Sequence, residues 1–205
     1  MIKIAVFGFY CPDDSVPGDD CRSPVNTSDF MRVVWEMEPA ESRVGRAPDT
    51  AAFVKLTDVF IKPVYVQALS DELVGSAGLL KSDGYVVIVD AVKVLAPNAI
   101  HAALHRLSAL NPDANLIIAA GRQNEPDALS SDDLRQVLGL SDDLLIMPYV
   151  PDQPKTVTRI IRRLVRYIDN PKRVPPPIFA GEAAPLPARQ PVAPQPEPEA
   201  DTVHI

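Results

Sequence analysis

The sequence predicts an α/β fold in which helices cover both faces of a mostly parallel sheet. Three short apolar runs are nearly unbroken, which is typical of strands that are buried on both faces. Segments in which apolar residues recur at helical spacing alternate with these strands along the chain. The three unbroken runs are residues 4–7, 85–89 and 116–120.

Six apolar, β-branched segments are predicted as strands. They are residues 2–9, 53–61, 64–69, 85–91, 116–120 and 144–150. Only Lys62-Pro63 separates the second segment from the third, and so short a connection indicates a hairpin. We therefore expect one antiparallel pair at the edge of an otherwise parallel sheet.

Four segments carry apolar residues at helical spacing, and they begin near residues 27, 100, 130 and 157. Ser130 suits the start of the third helix, and Gly139 suits its end. The fourth segment has the most regular apolar stripe. Its basic residues lie away from that stripe, and a solvated face is their simplest interpretation. These basic residues are Arg159, Arg162, Arg163 and Arg166.

The composition changes after residue 170, so we predict a domain over residues 1–170 and a tail over residues 171–205. Ten of the 22 prolines lie in the last 35 residues, where no apolar period is visible. A segment of this composition buries too little apolar surface to offset its chain entropy, which predicts disorder or polyproline II. Within it, residues 185–191 are the best candidate ligand for a proline-recognising partner.

Charge and hydropathy exclude several classes of protein. The net charge of −7 disfavours non-specific binding to nucleic acid, which requires a basic surface. No apolar run approaches the roughly 20 residues that span a bilayer. The chain starts directly with a strand-like segment rather than with a signal peptide. We therefore expect a cytoplasmic protein. Its two cysteines, Cys11 and Cys21, lie in one predicted loop where a disulfide is geometrically feasible, but thiols are the expected state in the cytosol.

Three stretches together resemble the Ras-like small GTPases, in particular their bacterial branch. Residues 83–91, DGYVVIVDA, are similar to the fourth strand of that family, typically DGVVVVVDA. Residues 128–140, ALSSDDLRQVLGL, are similar to the helix after the guanine-reading strand, ALSxxEVREALGL. Residues 29–39, DFMRVVWEMEP, are similar to the helix after the phosphate loop. The resemblance covers about residues 1–170 and implies a P-loop GTPase-like fold.

In that family the phosphate loop, G-x-x-x-x-G-K-S/T, follows the first strand, and its amides and Lys hold the phosphates. Two alignments are open. In one the loop is residues 8–15, with Asp13 and Asp14 at the places of the second Gly and the Lys. In the other a longer loop ends at residues 26–28, so that Ser28 supplies the hydroxyl, and the longer helix match favours it. Neither alignment supplies the Lys.

The remaining nucleotide motifs also differ from the family pattern. Asn124 stands where an Asp accepts two hydrogen bonds from guanine, and its single carbonyl oxygen cannot take both. In switch I, Ala51 and Ala52 stand at the places of the Thr that senses the γ-phosphate, with Thr50 as a shifted replacement. In switch II, residues 66–73 have no Gly, and they have no Gln at the place of the family's Gln that orients the attacking water.

The resemblance and these differences together predict a non-catalytic Ras-like protein, a pseudoGTPase, that binds a protein partner through its former switch surface. A roadblock-type dimer and an active small GTPase are the partners that the resemblance implies. We predict no cofactor, no metal and no catalytic residue. The vestigial pocket comprises Gly8, Ser28, Gly121, Arg122 and Asn124.

Three other interpretations are open. An atypical nucleotide-binding protein would hold GTP or GDP with Mg²⁺ in a rearranged phosphate loop. A receiver domain would place acidic residues after the first strand, but Asp13 and Asp14 come late for that role. His101 and His105 are spaced i, i+4 and could share a metal on one helix face, although surface histidines are the simpler interpretation.

Overall fold

The computed structural model describes residues 1–8, 27–38, 53–56, 60, 62–69, 82–92, 94, 97–151, 153–170, 172 and 174–180. In this part of the chain, six strands and four helices are formed. In chain order they are β1 (Ile2–Gly8), α1 (Thr27–Glu36), β2 (Phe53–Leu56), β3 (Val64–Ala68), β4 (Gly84–Asp90), α2 (Pro97–Leu110), β5 (Asn115–Gly121), α3 (Ser131–Leu138), β6 (Leu145–Tyr149) and α4 (Pro154–Ile168).

The six strands form one sheet in the order β2-β3-β1-β4-β5-β6. Strands β3, β1, β4, β5 and β6 are parallel to one another, whereas β2 is antiparallel to β3. The predicted mostly parallel sheet with one antiparallel edge is therefore confirmed. The central strand β4 is buried along all seven residues, in agreement with its unbroken apolar run.

Helices cover both faces of the sheet, as predicted. On one face, α1 and α4 pack over the core that includes Phe30, Val86 and Ile160. On the other face, α2 and α3 pack over a second core that includes Leu104 and Leu134. The longest described helix, α4, has 15 residues, and no described helix is long and apolar enough to cross a membrane.

The predicted ends of α3 are confirmed by its capping bonds. The Ser130 side chain accepts a hydrogen bond from the Asp133 amide, and the Asp133 carboxylate accepts one from the Ser130 amide. At the other end, Gly139 has φ 61°, in the left-handed region that ends helices. α4 starts with Pro154 in its first turn, where the missing N–H breaks no helical bond.

The segment after residue 170 differs from the tail that the composition predicts. Ile178 and Phe179 are 7% and 4% exposed and belong to the core beneath α2 and α3. The Ser141 amide donates to the Ile178 carbonyl at 2.9 Å, and the Ala180 amide donates to the Gly139 carbonyl at 3.2 Å. Residues 178–180 are thus packed against the domain, whereas residues 181–205 lie outside the described residues.

Candidate functional site

The order of the strands places a candidate site at the carboxyl ends of β1 and β4. β1 lies between β3 and β4, so the chain moves to one side of β1 to form β3 and to the other side to form β4. Ligands of open parallel sheets bind outside the carboxyl ends of the strands at such a reversal of direction. Gly8 ends β1 at this edge, and Asp90 ends β4.

The first turn of α1 packs directly against the end of β1. A Cβ added to Gly8 would lie 3.0 Å from Thr27 Oγ1 and 3.4 Å from the Cβ of Ile88. The side chain of Thr27 is buried, while its neighbour Ser28 is exposed. Glycine at residue 8 therefore allows the amino end of the helix to approach the strand closely.

Of the two phosphate-loop alignments, only Gly8, Thr27 and Ser28 lie in the described part of the chain. In the longer alignment, Thr27 stands at the place of the family's Lys. The structure puts a neutral, buried hydroxyl there, against Gly8. Residues 9–26, including Asp13 and Asp14, lie outside the described residues.

Asp90 is a buried carboxylate at the end of β4, only 3% exposed. Its Oδ1 accepts a hydrogen bond from the Val92 amide at 2.9 Å. Its Oδ2 lies 3.4 Å from Nη1 of Arg122, which follows β5. The two residues meet because β4 and β5 pair in register, with Asp90 opposite Gly121.

Arg122 also holds a second carboxylate. Its Nε donates to Glu125 Oε1 at 2.8 Å, and its Nη2 donates to Oε2 at 2.6 Å. This bidentate hydrogen bonding lowers the pKa of Glu125 and raises the pKa of Arg122, because each ionised group favours the charged form of the other. One guanidinium is thus shared by two carboxylates.

The backbone at Arg122 is unusual, since its φ of 60° lies in the left-handed region that side chains other than Gly rarely adopt. Conformations of this kind concentrate at functional sites and persist where neighbouring interactions fix them. Here the fixing interactions are the paired carboxylates and the turn that follows, in which the Glu125 amide donates to the Arg122 carbonyl at 3.0 Å.

The structure brings some of the predicted pocket residues together and separates others. Gly8 and Gly121 lie at the same edge of the sheet with β4 between them, and Arg122 follows directly. Ser28 and Asn124 are both exposed. The side chain of the neighbouring Gln123 is directed towards the start of α3, and its side-chain amide donates to the Leu129 carbonyl at 3.5 Å.

Two members of this site, Asp90 and Glu125, are absent from the predicted pocket. Asp90 has a sequence signal, because it is a carboxylate that ends an otherwise apolar buried strand. Glu125 has a weaker one, because it follows Arg122 by three residues in the loop. The site is therefore an ionic cluster, which we call the Arg122 cluster and define as Asp90, Arg122 and Glu125.

The two histidines of α2 pack with the C-terminal segment. The rings of His101 and His105 lie 4.4 Å apart, and those of His105 and Phe179 are stacked at 3.9 Å. In the described part of the chain, no group of three or more His, Cys, Asp or Glu side chains is arranged to hold a metal ion.

The Arg122–Glu125 pair predicts a pH dependence of stability. The pKa of Glu125 is lower in the folded chain than its ordinary value of about 4.3. The ionised carboxylate therefore contributes to the free energy of unfolding at pH values above about 4.3. The contribution is lost as the pH falls through the folded-state pKa. We therefore expect the stability difference between wild type and Glu125→Gln to shrink as the pH falls through the ordinary carboxylate pKa of about 4.3 and then through the lower folded-state pKa.

Urea denaturation at several pH values measures that difference. The same substitution in an Arg122→Gln background is the matched control, since Glu125 then lacks its hydrogen-bond donor. A Glu125→Gln effect that varies with pH equally in both backgrounds would contradict the pairing.

Comparison with known proteins gives no assignment. Neither a scan against protein-family models nor a search of curated proteins finds a match.

Proposed function

We propose that this chain is a catalytically inactive Ras-like domain, a pseudoGTPase, that acts by binding a protein partner. The observation that carries the proposal is the Arg122 cluster. It lies where the resemblance places the guanine-reading residues, and its guanidinium is engaged with Asp90 and Glu125. The six-stranded sheet with one antiparallel edge and helices on both faces also supports the proposal, because it is the architecture that the resemblance implies.

The charges at the site argue against binding a nucleoside triphosphate. The Arg122 cluster contains two carboxylates and one cation. In the longer phosphate-loop alignment the family's Lys is replaced by the buried Thr27. Phosphoryl transfer depends almost entirely on positioning and on neutralising phosphate charge. Among the described residues of the site neither is supplied, and we propose that the domain performs no hydrolysis.

The described residues of the former switch regions are Phe53 and residues 66–69, and they lie at the edge of the sheet that β2 and β3 form. Lys55 on β2 and Tyr65 on β3 are cross-strand partners, and the Lys55 ammonium lies 5.7 Å from the centre of the Tyr65 ring. Gln67 lies on the same face, and both Lys55 and Gln67 are exposed. The rest of that surface, residues 49–52 and 70–73, lies outside the described residues.

We propose a roadblock-type dimer or an active small GTPase as the partner, and the chemistry of this edge supports a protein ligand. An exposed Lys beside an aromatic ring provides both charge and apolar area for an interface.

A second candidate function is atypical nucleotide binding. The close approach at Gly8 favours it, because the amino end of α1 then lies at the reversal of strand direction and exposes Ser28 in its first turn. Helix amino termini attract phosphate through free amides and the helix dipole. In this version Ser28 would help to hold Mg²⁺ and the phosphates of GTP or GDP.

Thermal unfolding with GTP, GDP, ATP and XTP, each with and without Mg²⁺, separates the two functions. We expect no shift of Tm with any of them. A nucleotide present at 100 times its Kd would add about 2.7 kcal/mol, which in a domain of this size raises Tm by roughly 5–10 °C. Such a rise would overturn the proposal and support the second candidate.

Binding of the partner is tested by calorimetry with purified roadblock-type proteins and small GTPases from the same cell. In the pair that binds, we expect Lys55→Glu to weaken affinity by about tenfold through lost contact and reversed charge. Lys172→Glu makes the same charge change at an exposed residue outside the switch surface and should leave affinity within about twofold. Binding that is insensitive to Lys55→Glu would exclude this surface.

A further inference from the structure

A groove runs between the outer edge of the sheet and one face of α4. Its volume is about 650 Å³, and its floor is formed by Leu145, Met147 and Pro148 of β6. The helix wall carries five cations, four of them the arginines that the sequence places away from the apolar stripe. They are Lys155, Arg159, Arg162, Arg163 and Arg166.

These cations form a concentrated positive surface on a protein whose net charge is −7. Among the described ion pairs, none involves any of the five. Arg163 instead lies over the Tyr167 ring at 4.8 Å. Five neighbouring like charges repel one another, so an anionic ligand in the groove would relieve that repulsion.

We propose that the acidic stretch of this chain, residues 197–201, binds in the groove. Its sequence is Glu-Pro-Glu-Ala-Asp, so carboxylates alternate with small apolar residues. In an extended backbone, alternate side chains share one face at intervals of about 6.6 Å. Helix residues three or four apart are separated by about 4.5–6 Å along the helix axis, and most successive groove cations are three or four residues apart. The carboxylates therefore match successive cations of α4.

The chain can reach the groove from its last described contact. Residues 178–180 are held by Gly139 and Ser141, and β6 begins only four residues after Ser141, at Leu145. Four residues span at most about 14 Å, so the anchor lies close to one end of the groove. The 17 residues that lead from Ala180 to Glu197 would extend about 50 Å as polyproline II, which exceeds the roughly 22 Å length of the 15-residue helix α4 that borders the groove.

The covalent connection through residues 181–196 favours this acidic stretch over a separate acidic peptide as the ligand of the groove. Exposed ion pairs each contribute little, so a separate acidic peptide would bind this groove only weakly. A flexible connection supplies an effective concentration in the millimolar range, which is enough to populate a weak contact. Strand addition to β6 contributes little, because Pro148 removes a donor from this edge. The contact rests on charge and is sensitive to salt.

NMR of the full chain tests the proposal through the backbone amides of Glu199, Ala200 and Asp201. In wild type at low salt, we expect their shifts to differ from those at about 0.5 M NaCl, where exposed charges are screened. In Arg159→Gln/Arg162→Gln the low-salt shifts should move at least halfway to the high-salt values. Arg106→Gln removes an exposed cation from α2, away from the groove, and should change nothing.

Unchanged amide shifts of β4 show that each variant is folded. As the reciprocal test, the triple variant Glu197→Gln/Glu199→Gln/Asp201→Asn should shift the Arg159 side-chain Nε resonance. If the wild-type amides are insensitive to the double substitution, or respond equally to Arg106→Gln, the proposal is wrong. If the acidic substitutions leave the Arg159 resonance unchanged, the groove belongs to some other anion and the proposal is equally wrong.

Discussion

Replacing Phe179 by Ala is expected to lower the free energy of unfolding by about 3–5 kcal/mol, the usual cost of removing a buried phenylalanine ring. The ring is 4% exposed, stacks on His105 and contacts His101 at 4.6 Å between ring centres. The ring is therefore part of the core beneath α2 and α3 and helps to shield that core from solvent. Urea denaturation followed by circular dichroism measures the loss.

Val174→Ala is the matched control, since Val174 lies in the same segment and is 85% exposed. Its cost should be within about 0.5 kcal/mol. A Phe179→Ala cost below about 1 kcal/mol would mean that residues 178–180 are not part of the cooperative unit, and the domain would then end near residue 170.

That segment shows the limit of predicting structure from composition. A proline count describes how little apolar surface a stretch can bury on average, and on that basis it predicts a change near residue 170. The count is insensitive to two adjacent apolar residues, Ile178 and Phe179, which are buried in the core beneath α2 and α3. Their docking depends on Leu140, with which Phe179 forms a β-bridge, and so on a contact distant in sequence.

The elements that could be predicted well are those whose environment is repeated along the chain. β4 is buried on both faces and therefore apolar throughout, and α4 buries one stripe and therefore shows a helical period. The antiparallel pairing of β2 and β3 was also predicted, but the predicted two-residue connection was wrong, because β2 ends at Leu56 and β3 begins only at Val64. Strand ends were less accurate: β2 ends at Leu56, although the apolar run continues towards residue 61.

The candidate site could be predicted only in part. The loop after β5 was identified from the resemblance, and Arg122 and Gly121 do lie at the carboxyl edge of the sheet. The pairing of Arg122 with Asp90 was missed, because it joins residues 32 apart through the register of two strands. No local pattern encodes such a register. The exposure of Ser28 and Asn124 likewise depends on neighbours that are remote in sequence.

The packing of α4 on β4 gives Gly84 a physical role beyond its place in a family-like motif. A Cβ added to Gly84 would lie 2.8 Å from Ile168 Cδ1 and 3.1 Å from Leu164 Cδ1. Leu164 is fully buried, and these distances place its side chain over the start of β4. The backbone at Gly84 is not in the left-handed region, so glycine is favoured here by the close approach of these two side chains, which would have to shift to admit a Cβ.

Leu164→Ala should therefore cost about 2–5 kcal/mol, and Gly84→Ala about 1–3 kcal/mol through overpacking. Combined, the two should cost clearly less than their sum, because the added methyl group enters the space that the leucine leaves. We expect a coupling of about 1–2 kcal/mol in a double-mutant cycle measured by urea denaturation. Leu110→Ala, at a leucine that is 41% exposed on α2, is the control and should add independently to Gly84→Ala. Strict additivity of Leu164→Ala and Gly84→Ala would show that α4 does not rest on β4 at this point.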